Sequence, residues 1–343
     1  ALRAAAAGPV KGRYTRNRTR SMSTGFDISS RWAAIVNPVA GSGRGLTDWP
    51  QISGLLRDEG IAVDAMFTLH KYHATELAVT AVRQGYRRII VVGGDGTIHE
   101  TVNGFFIQRE CPTTDILMAV IAVGTGNDWI RMFGIPRNYV DAIRSIRQGH
   151  AFLQDVGRVS YYESKVHQTR YLANVAGVGY DAAVCRGFNR LKEKGYRGNW
   201  IYLFNVFREA VRYRTRRVRI EVDGEEVFAG KLFTGTIGIC KYTAGGLTQT
   251  PNAIPDDGLF DLTVIPAMNR VRLFSRFRTV YTGNIYDIPR ISLFRGGSIR
   301  IHAEQPIRLE IDGEILGYSD FEFKILERAI RVVVSEKFIQ DHI

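Results

Sequence analysis

Three glycine-rich turns hold the chain's densest chemistry. The first, Asn37-Pro38-Val39-Ala40-Gly41-Ser42-Gly43, follows the apolar run Trp32–Val36. Its small residues let backbone N–H groups approach phosphate oxygens with no side chain between. Pro38 fixes one dihedral of that turn. No Gly-Lys-Ser/Thr follows Gly43, so this is not a Walker A loop, and steric packing at a strand–helix turn is the competing explanation. The second turn, Gly93-Gly94-Asp95-Gly96-Thr97-Ile98-His99-Glu100, closes the buried-looking run Arg88–Val92 and opens a helix. A helix N-terminus offers a polyphosphate N–H groups and a favourable dipole. A carboxylate beside phosphate needs a cation or a proton to remove, so Asp95 implies Mg2+ or a hydroxyl to deprotonate. An Asp-Gly turn with a helix cap is the plainer alternative. The third turn, Gly124-Thr125-Gly126-Asn127-Asp128, follows Leu117–Val123. Thr125 and Asn127 can donate to phosphate or ribose, and Asp128 can equally cap the next helix.

These turns need a scaffold that brings them to one edge. Strand and helix signals alternate through the first half: strands at Trp32–Val36, Ile61–Phe67, Arg88–Val92 and Leu117–Val123, with helices between that close at Gly60 and Gly85. Such alternation predicts a doubly wound parallel sheet whose ligands bind beyond the carboxyl ends of the strands. From about Phe152 strand-like runs dominate: Arg170–Val175, Val218–Val222, Leu232–Ile239, Leu259–Ile265, Ile299–Ala303, Ile307–Ile311, Phe321–Ile325 and Ile330–Val334. That series predicts an antiparallel β-sandwich, interrupted by helical insertions near 199–213 and 269–281. The expected fold class is therefore α/β plus all-β. The expected division is a basic tail over 1–30, an α/β domain over 31–153, a β-sandwich over 154–328, and a strand and helix over 329–343 that return to the first domain.

Composition limits the partners. With 343 residues, 45% hydrophobic and 23% charged, the chain reads as globular and long enough for two domains. Half of the net charge of +12 falls in residues 1–26, which contain six basic residues and no acid. That segment reads as a disordered arm, a targeting peptide or an expression remnant. Cys111, Cys185 and Cys240 are far apart and unpaired in pattern, which favours a reducing compartment over a disulfide or zinc framework. No run of about 18 apolar residues predicts a membrane span. RNP, zinc-finger and helix-turn-helix signatures are absent, so nucleic acid is not the expected partner.

The three turns, in this order, resemble the catalytic domain of the diacylglycerol kinase and sphingosine kinase family, including its bacterial soluble members. The likeness extends to Thr68 with His73-Ala74, to Asp256-Asp257-Gly258-Leu259-Phe260-Asp261, and to Asp312-Gly313-Glu314. It implies a nucleotide domain related to those of NAD kinase and phosphofructokinase, a lipid-substrate β-sandwich, and an active site in the cleft between. It further implies ATP contacts at Thr68, Gly94 to Glu100 and Thr125. Glu314 would be the general base on a lipid hydroxyl, and Asp257 with the carbonyls of Ile254 and Leu259 would hold a structural Mg2+. Alone, Asp312-Gly313-Glu314 would read as a hairpin turn, as Asp223-Gly224-Glu225 does. His99 stands where the common bacterial pattern has Asn, and His99-Glu100-Thr101-Val102-Asn103-Gly104 is closer to the sphingosine kinase form. The acceptor therefore stays open between diacylglycerol-type and sphingoid lipids. Asp181 is a candidate head-group acid, with a helix cap as the alternative.

The resemblance leads one to expect a cytoplasmic enzyme peripheral to the membrane, acting on lipid at an anionic surface; monomer and homodimer both stay open. Residues 186–219 hold eleven Lys or Arg against Glu193 and Glu209. Within them Trp200, Leu203, Phe204, Phe207 and Val211 share one helical face. That face suits a membrane interface or a protein core equally. NAD kinase, a sugar kinase, or a non-catalytic lipid or nucleotide sensor are the competing functions. The first two share the Gly-Gly-Asp-Gly turn without explaining Asp312-Gly313-Glu314, and the presence of both Asp95 and Glu314 argues against the third.

Overall fold

Four parallel strands, three of them buried along their whole length, form one half of the main sheet. The computed structural model describes residues 31–196, 199–275, 279 and 282–342; the basic arm over 1–30 and part of the 269–281 insertion lie outside them. Strands β1 (Trp32–Val36), β2 (Val63–Phe67), β3 (Arg88–Gly93) and β4 (Leu117–Ala122) run parallel in the order β2-β1-β3-β4. Burial on both faces explains why β1, β3 and β4 lack polar alternation. Ala33, Ile35, Ile89 and Val91 pack with Ala74 and Ala78 of α3 (His73–Arg83) and Val102 and Phe105 of α4 (Asp95–Ile107). Ala34, Val36, Ile90 and Val92 pack with Ile52 and Leu56 of α2 (Trp49–Asp58) and Ile143 and Ile146 of α6 (Tyr139–Gln148). Of two short helices, α1 (Ala40–Thr47) takes in Gly41 to Gly43 of the first glycine turn, which depart from helical geometry, and α5 (Asp128–Met132) begins at the last residue of the third.

The second half is antiparallel. Its strands are β5 (Ala151–Glu163), β6 (Val166–Leu172), β7 (Val175–Gly179), β8 (Arg216–Val222), β9 (Glu225–Gly238), the small hairpin β10 (Tyr242–Thr243) and β11 (Leu247–Thr248), β12 (Phe260–Pro266), β13 (Ser292–Gly296), β14 (Ser298–Ala303), β15 (Arg308–Ile311) and β16 (Glu314–Val333). Two routes join the long strands β9 and β16: one through β8 and β14, the other through β7 and β15. These routes form two layers, with Ile220, Ile299 and Phe323 from one and Val178, Leu309 and Ile311 from the other in a common core. Helices α7 (Tyr180–Glu193), α8 (Asn199–Arg212) and α9 (Arg270–Ser275) decorate this half, and α10 (Glu336–His342) ends the described chain.

β16 links the halves. Its first residue is Glu314, and near its other end Arg331 and Val332 pair in parallel with Leu117 and Met118 of β4. The sequence reading split this strand into 321–325 and 330–334. The pairing with β5 shifts register between Leu326 and Ile330, where Arg328 has φ of 48°. A bulge thus interrupts the side-chain alternation without ending the strand. β5 is absent from the strands read in the sequence, because buried Gln154 and Asp155 and its exposed far end hide its pattern.

Candidate active site

The three glycine turns touch one another. Gly41 has φ of 60°, and a Cβ there would stand 1.9 Å from the Val123 carbonyl oxygen. A Cβ on Gly124 would stand 2.8 Å from the Cα of Gly94. Only glycine permits backbones this close. Asn37 Nδ2 donates to Thr97 Oγ1 at 3.0 Å, and Asp95 Oδ1 accepts from the Trp129 N–H at 3.0 Å. The first turn is thereby tied to the second, and the second to the third. Burial raises the Asp95 pKa against the backbone hydrogen bonds that lower it. Asp128 does not cap α5 with its side chain. Its Oδ2 accepts from the Gly245 N–H at 2.7 Å, reaching the second half of the chain, and burial pushes its pKa up to about 6.

Several residues expected to contact a nucleotide are instead engaged within the chain. Glu100 accepts from the N–H groups of Tyr72 and Ala74 at 3.0 and 3.2 Å. It therefore anchors the start of α3, including the loop after Thr68, instead of pointing at phosphate. Ile98 and His99 are each 2% exposed, so neither side chain is available to ATP. Thr97 is buried with its hydroxyl already engaged by Asn37. Thr68 is largely buried and its N–H donates to the Val36 carbonyl. Gly94, Gly96, Gly124 and Thr125 retain exposure at the turns, whereas Asn127 is buried, its amide donating to the Gly124 carbonyl at 2.7 Å. The motif spacing alone could not separate residues that line the turn from residues that brace it.

Asp312-Gly313-Glu314 comes to this edge from more than 200 residues away. Asp312 has φ of 50° and Gly313 of 90°, the geometry of a tight hairpin turn between β15 and β16. Asp223-Gly224 has φ values of 50° and 88° between β8 and β9, so the two turns are alike in backbone. Their surroundings differ. Asp312 accepts from the N–H groups of Ala173, Asn174 and Val175 at 3.2, 3.1 and 3.0 Å, and lies 2.9 Å from His99 Nδ1. Glu314 is 8% exposed, with Oε1 3.8 Å from Lys71 Nζ and Oε2 buried and without a hydrogen-bond partner. An unsatisfied buried carboxylate oxygen is costly unless something else completes it, and an acceptor hydroxyl would. Lys71, which no motif flagged, sits beside the Tyr72 ring. Burial opposes its charge, yet Tyr72, Glu314 and Glu100 together hold its pKa above the ordinary value.

The expected metal donors are otherwise occupied. Asp257 Oδ1 accepts from the Leu259 N–H at 3.1 Å, and Oδ2 pairs with Arg295. The same guanidinium reaches Asp261 at 2.6 Å. A cation already faces Asp257, so Ile254, Asp257 and Leu259 do not form a fitting Mg2+ cage in this arrangement. Nearby Asp155, missed in the sequence, clamps the segment by accepting from Gly258 and Arg328 N–H groups. Among the described residues, His70, His73 and Glu76 bring potential ligand atoms within 4.8 Å. His73 Nδ1, however, accepts from the Leu69 N–H at 3.0 Å, which puts its proton on Nε2. Asp181 opens α7 and accepts from Thr236 and Gln249 at 2.9 and 3.2 Å; burial raises its pKa.

Comparison with known proteins bears on the family and the fold. Residues 31–159 match the family model of the diacylglycerol kinase catalytic domain. Residues 174–334 match that of the YegS C-terminal NAD kinase beta sandwich-like domain. A protein named diacylglycerol kinase from Staphylococcus aureus (strain MRSA252) is 29% identical over 322 residues, covering 92% of this chain and 98% of that one. Another so named, from Mycobacterium tuberculosis (strain ATCC 25618 / H37Rv), is 27% identical over 302 residues, covering 88% and 94%. The crystal structure of a diacylglycerol kinase from Bacillus anthracis str. Sterne superposes with a TM-score of 0.65 over 90% of this chain and 98% of that one. Its identity of 21% makes it a witness to the fold.

Proposed function

Since the chain belongs to the diacylglycerol kinase catalytic-domain family, we propose that it transfers the γ-phosphoryl group of MgATP to the hydroxyl of a diacylglycerol-type lipid, with Glu314 as the general base. The observation that carries this reading is the buried, partnerless Oε2 of Glu314, beside Lys71 and on the turn that Asp312 ties to His99 of α4. The polyphosphate would lie against the exposed backbone of Gly94, Gly96, Gly124 and Thr125, and the ion would enter with the nucleotide. Asp95 and Asp128, which lie in those turns, would hold the ion, whose charge would offset that of the phosphates.

In this reading Glu314 takes the proton as the lipid oxygen attacks the γ-phosphorus, and the bond to the bridging oxygen of ADP breaks. Geometry and charge neutralisation do most of the work in such transfers. Asp312 and His99 fix the turn that carries the base, and Glu100 fixes the loop that carries Lys71. The sphingoid alternative rests on the His99–Gly104 string and on Asp181, a buried acid that could receive an amine. Its two side-chain donors, Thr236 and Gln249, already use one of its oxygens. A glycerolipid acceptor is the reading favoured here.

Purified enzyme offered diacylglycerol, ceramide, sphingosine and dihydrosphingosine with radiolabelled ATP tests the proposal. Label in phosphatidic acid is the expected result. Label only in a sphingoid phosphate would move the acceptor, and label in NADP from added NAD with none in lipid would overturn the reading.

A further inference from the structure

The aromatic stripe of α8 faces water. Trp200 is 83% exposed, Phe204 63%, Phe207 46% and Val211 79%. At 3.6 residues per turn these four positions fall within an arc of about 60°. The opposite side of the helix is anchored: Val206 and Ala210 are buried with Tyr180, Val184 and Phe233, and the Tyr180 hydroxyl donates to the Val206 carbonyl at 2.6 Å. The orientation is therefore fixed by packing, and the sequence's core-facing alternative does not hold for this face. Arg270 donates to the Val211 carbonyl at the helix end, and the residue after it, Val271, is itself 79% exposed.

A solvent-facing row of large apolar side chains is unusual on a globular chain and marks an interaction surface. Its electrostatic setting narrows the partner. Arg190 and Lys194 on and after α7, with Arg212 and Arg214 at the end of α8, are all exposed. Arg208 is the exception: its guanidinium is held by Glu209 and Asn205. An apolar row beside basic residues matches the interface of an anionic phospholipid bilayer, where the row enters the acyl boundary and the cations meet phosphate.

The helix also has a short physical route to the active site. Asn205 Nδ2 donates to the Val184 carbonyl at 2.7 Å, and the next residue, Cys185, contacts the Gly313 carbonyl through its sulfur at 3.1 Å. Gly313 precedes Glu314. We infer that the Trp200–Phe204–Phe207–Val211 face of α8 docks on an anionic bilayer surface and sets the Glu314 turn against lipid held in that bilayer. This deepens the kinase reading and rests on it only for the second clause.

Sedimentation of the full chain with vesicles, without ATP, tests the docking separately from catalysis. A W200S/F204S/V211S variant is expected to bind phosphatidylglycerol-containing vesicles at least about tenfold more weakly than wild type. Reversing charge at Arg212 and Arg214 is expected to weaken binding to the same vesicles and to reduce its salt dependence. Both variants should bind MgATP and phosphorylate a water-soluble short-chain acceptor at wild-type rates, while losing activity on acceptor embedded in vesicles. Undiminished vesicle binding by the triple variant overturns the inference. So does a wild-type dimer that the triple variant converts to a monomer, which would assign the face to a second copy. Vesicle binding with no phosphorylation of any lipid would defeat the kinase reading and leave the docking surface standing.

Discussion

His99 Nδ1 lies 2.9 Å from Asp312 Oδ2, joining helix α4 of the nucleotide domain to the turn that carries Glu314. Both side chains are almost fully buried, 2% and 3% exposed. Asn103 braces the pair from the same helix by donating to the His99 carbonyl at 2.9 Å. The contact makes the placement of Glu314, the proposed base, depend on the helix that follows the second glycine turn. His99→Ala should therefore lower kcat about tenfold, equivalent to about 1.4 kcal/mol, with little change in KM for ATP. His99→Asn keeps a donor and should retain more activity than His99→Ala. Equal rates for wild type and His99→Ala would show that the contact does not position Glu314.

A close backbone approach in the site predicts an asymmetry between two glycines of one turn. Gly41→Ala forces a Cβ into the Val123 carbonyl, whereas a Cβ on Gly43, at φ of 100°, meets nothing within 4 Å. Strain acts at both positions, but steric conflict only at Gly41. Gly41→Ala should destabilise by about 2 kcal/mol or more and weaken nucleotide binding; Gly43→Ala should cost less on both counts. Thermal unfolding with and without MgATP gives the comparison, and equal losses would contradict it.

Glu310, on the strand before the Glu314 turn, gives a pH signature. Burial drives its pKa up to about 8, with Asp312 and Asp181 adding repulsion. A carboxyl group whose folded pKa is raised contributes stability below its unfolded pKa and loses it as pH rises through the folded value. Asp128 and Asp155, raised to about 6 by burial, act in the same direction at lower pH. The thermal midpoint should accordingly fall between about pH 5 and about pH 9. Glu310→Gln should flatten the upper part of that fall. A midpoint that rises across this range would refute the assignment.

Lys71 is predicted to matter for turnover more than for binding. Its ammonium stands 3.8 Å from Glu314 Oε1, so in the proposed reaction it would be close to the transferred phosphoryl group. Lys71→Met should reduce kcat by about tenfold with KM for ATP within about twofold, and Lys71→Arg should recover part of the loss. A change confined to KM would make Lys71 a nucleotide-binding residue alone.

What the sequence revealed and what it concealed follow from the range of the contacts. The glycine turns were legible because a backbone that must touch phosphate or another backbone selects glycine locally, as at Gly41, Gly94 and Gly124. The strands β1, β3 and β4 were legible because burial on both faces leaves an unbroken apolar run. The His99–Asp312 pair was not, since it joins positions 213 apart and neither residue signals its partner. Lys71 belongs to no motif and acquires meaning only from Glu314. Glu100 looked like a nucleotide ligand because its helix-anchoring role lies in the backbone of Tyr72 and Ala74, which a one-letter pattern does not show. In α8, periodicity defined the stripe but not its direction; the burial of Val206 and Ala210 on the other side decided it.

Glu314 is proposed as the base of a lipid kinase whose nucleotide site is built independently of it. Glu314→Gln is nearly isosteric and leaves Asp312, His99 and the glycine turns unchanged. The decisive measurement is single-turnover transfer from radiolabelled ATP to diacylglycerol by Glu314→Gln and wild type, alongside MgATP affinity by calorimetry. The account predicts a loss of at least about a hundredfold in transfer rate with affinity within about twofold. Transfer at the wild-type rate, with affinity intact, would place the base elsewhere, with Asp95 the next residue to test.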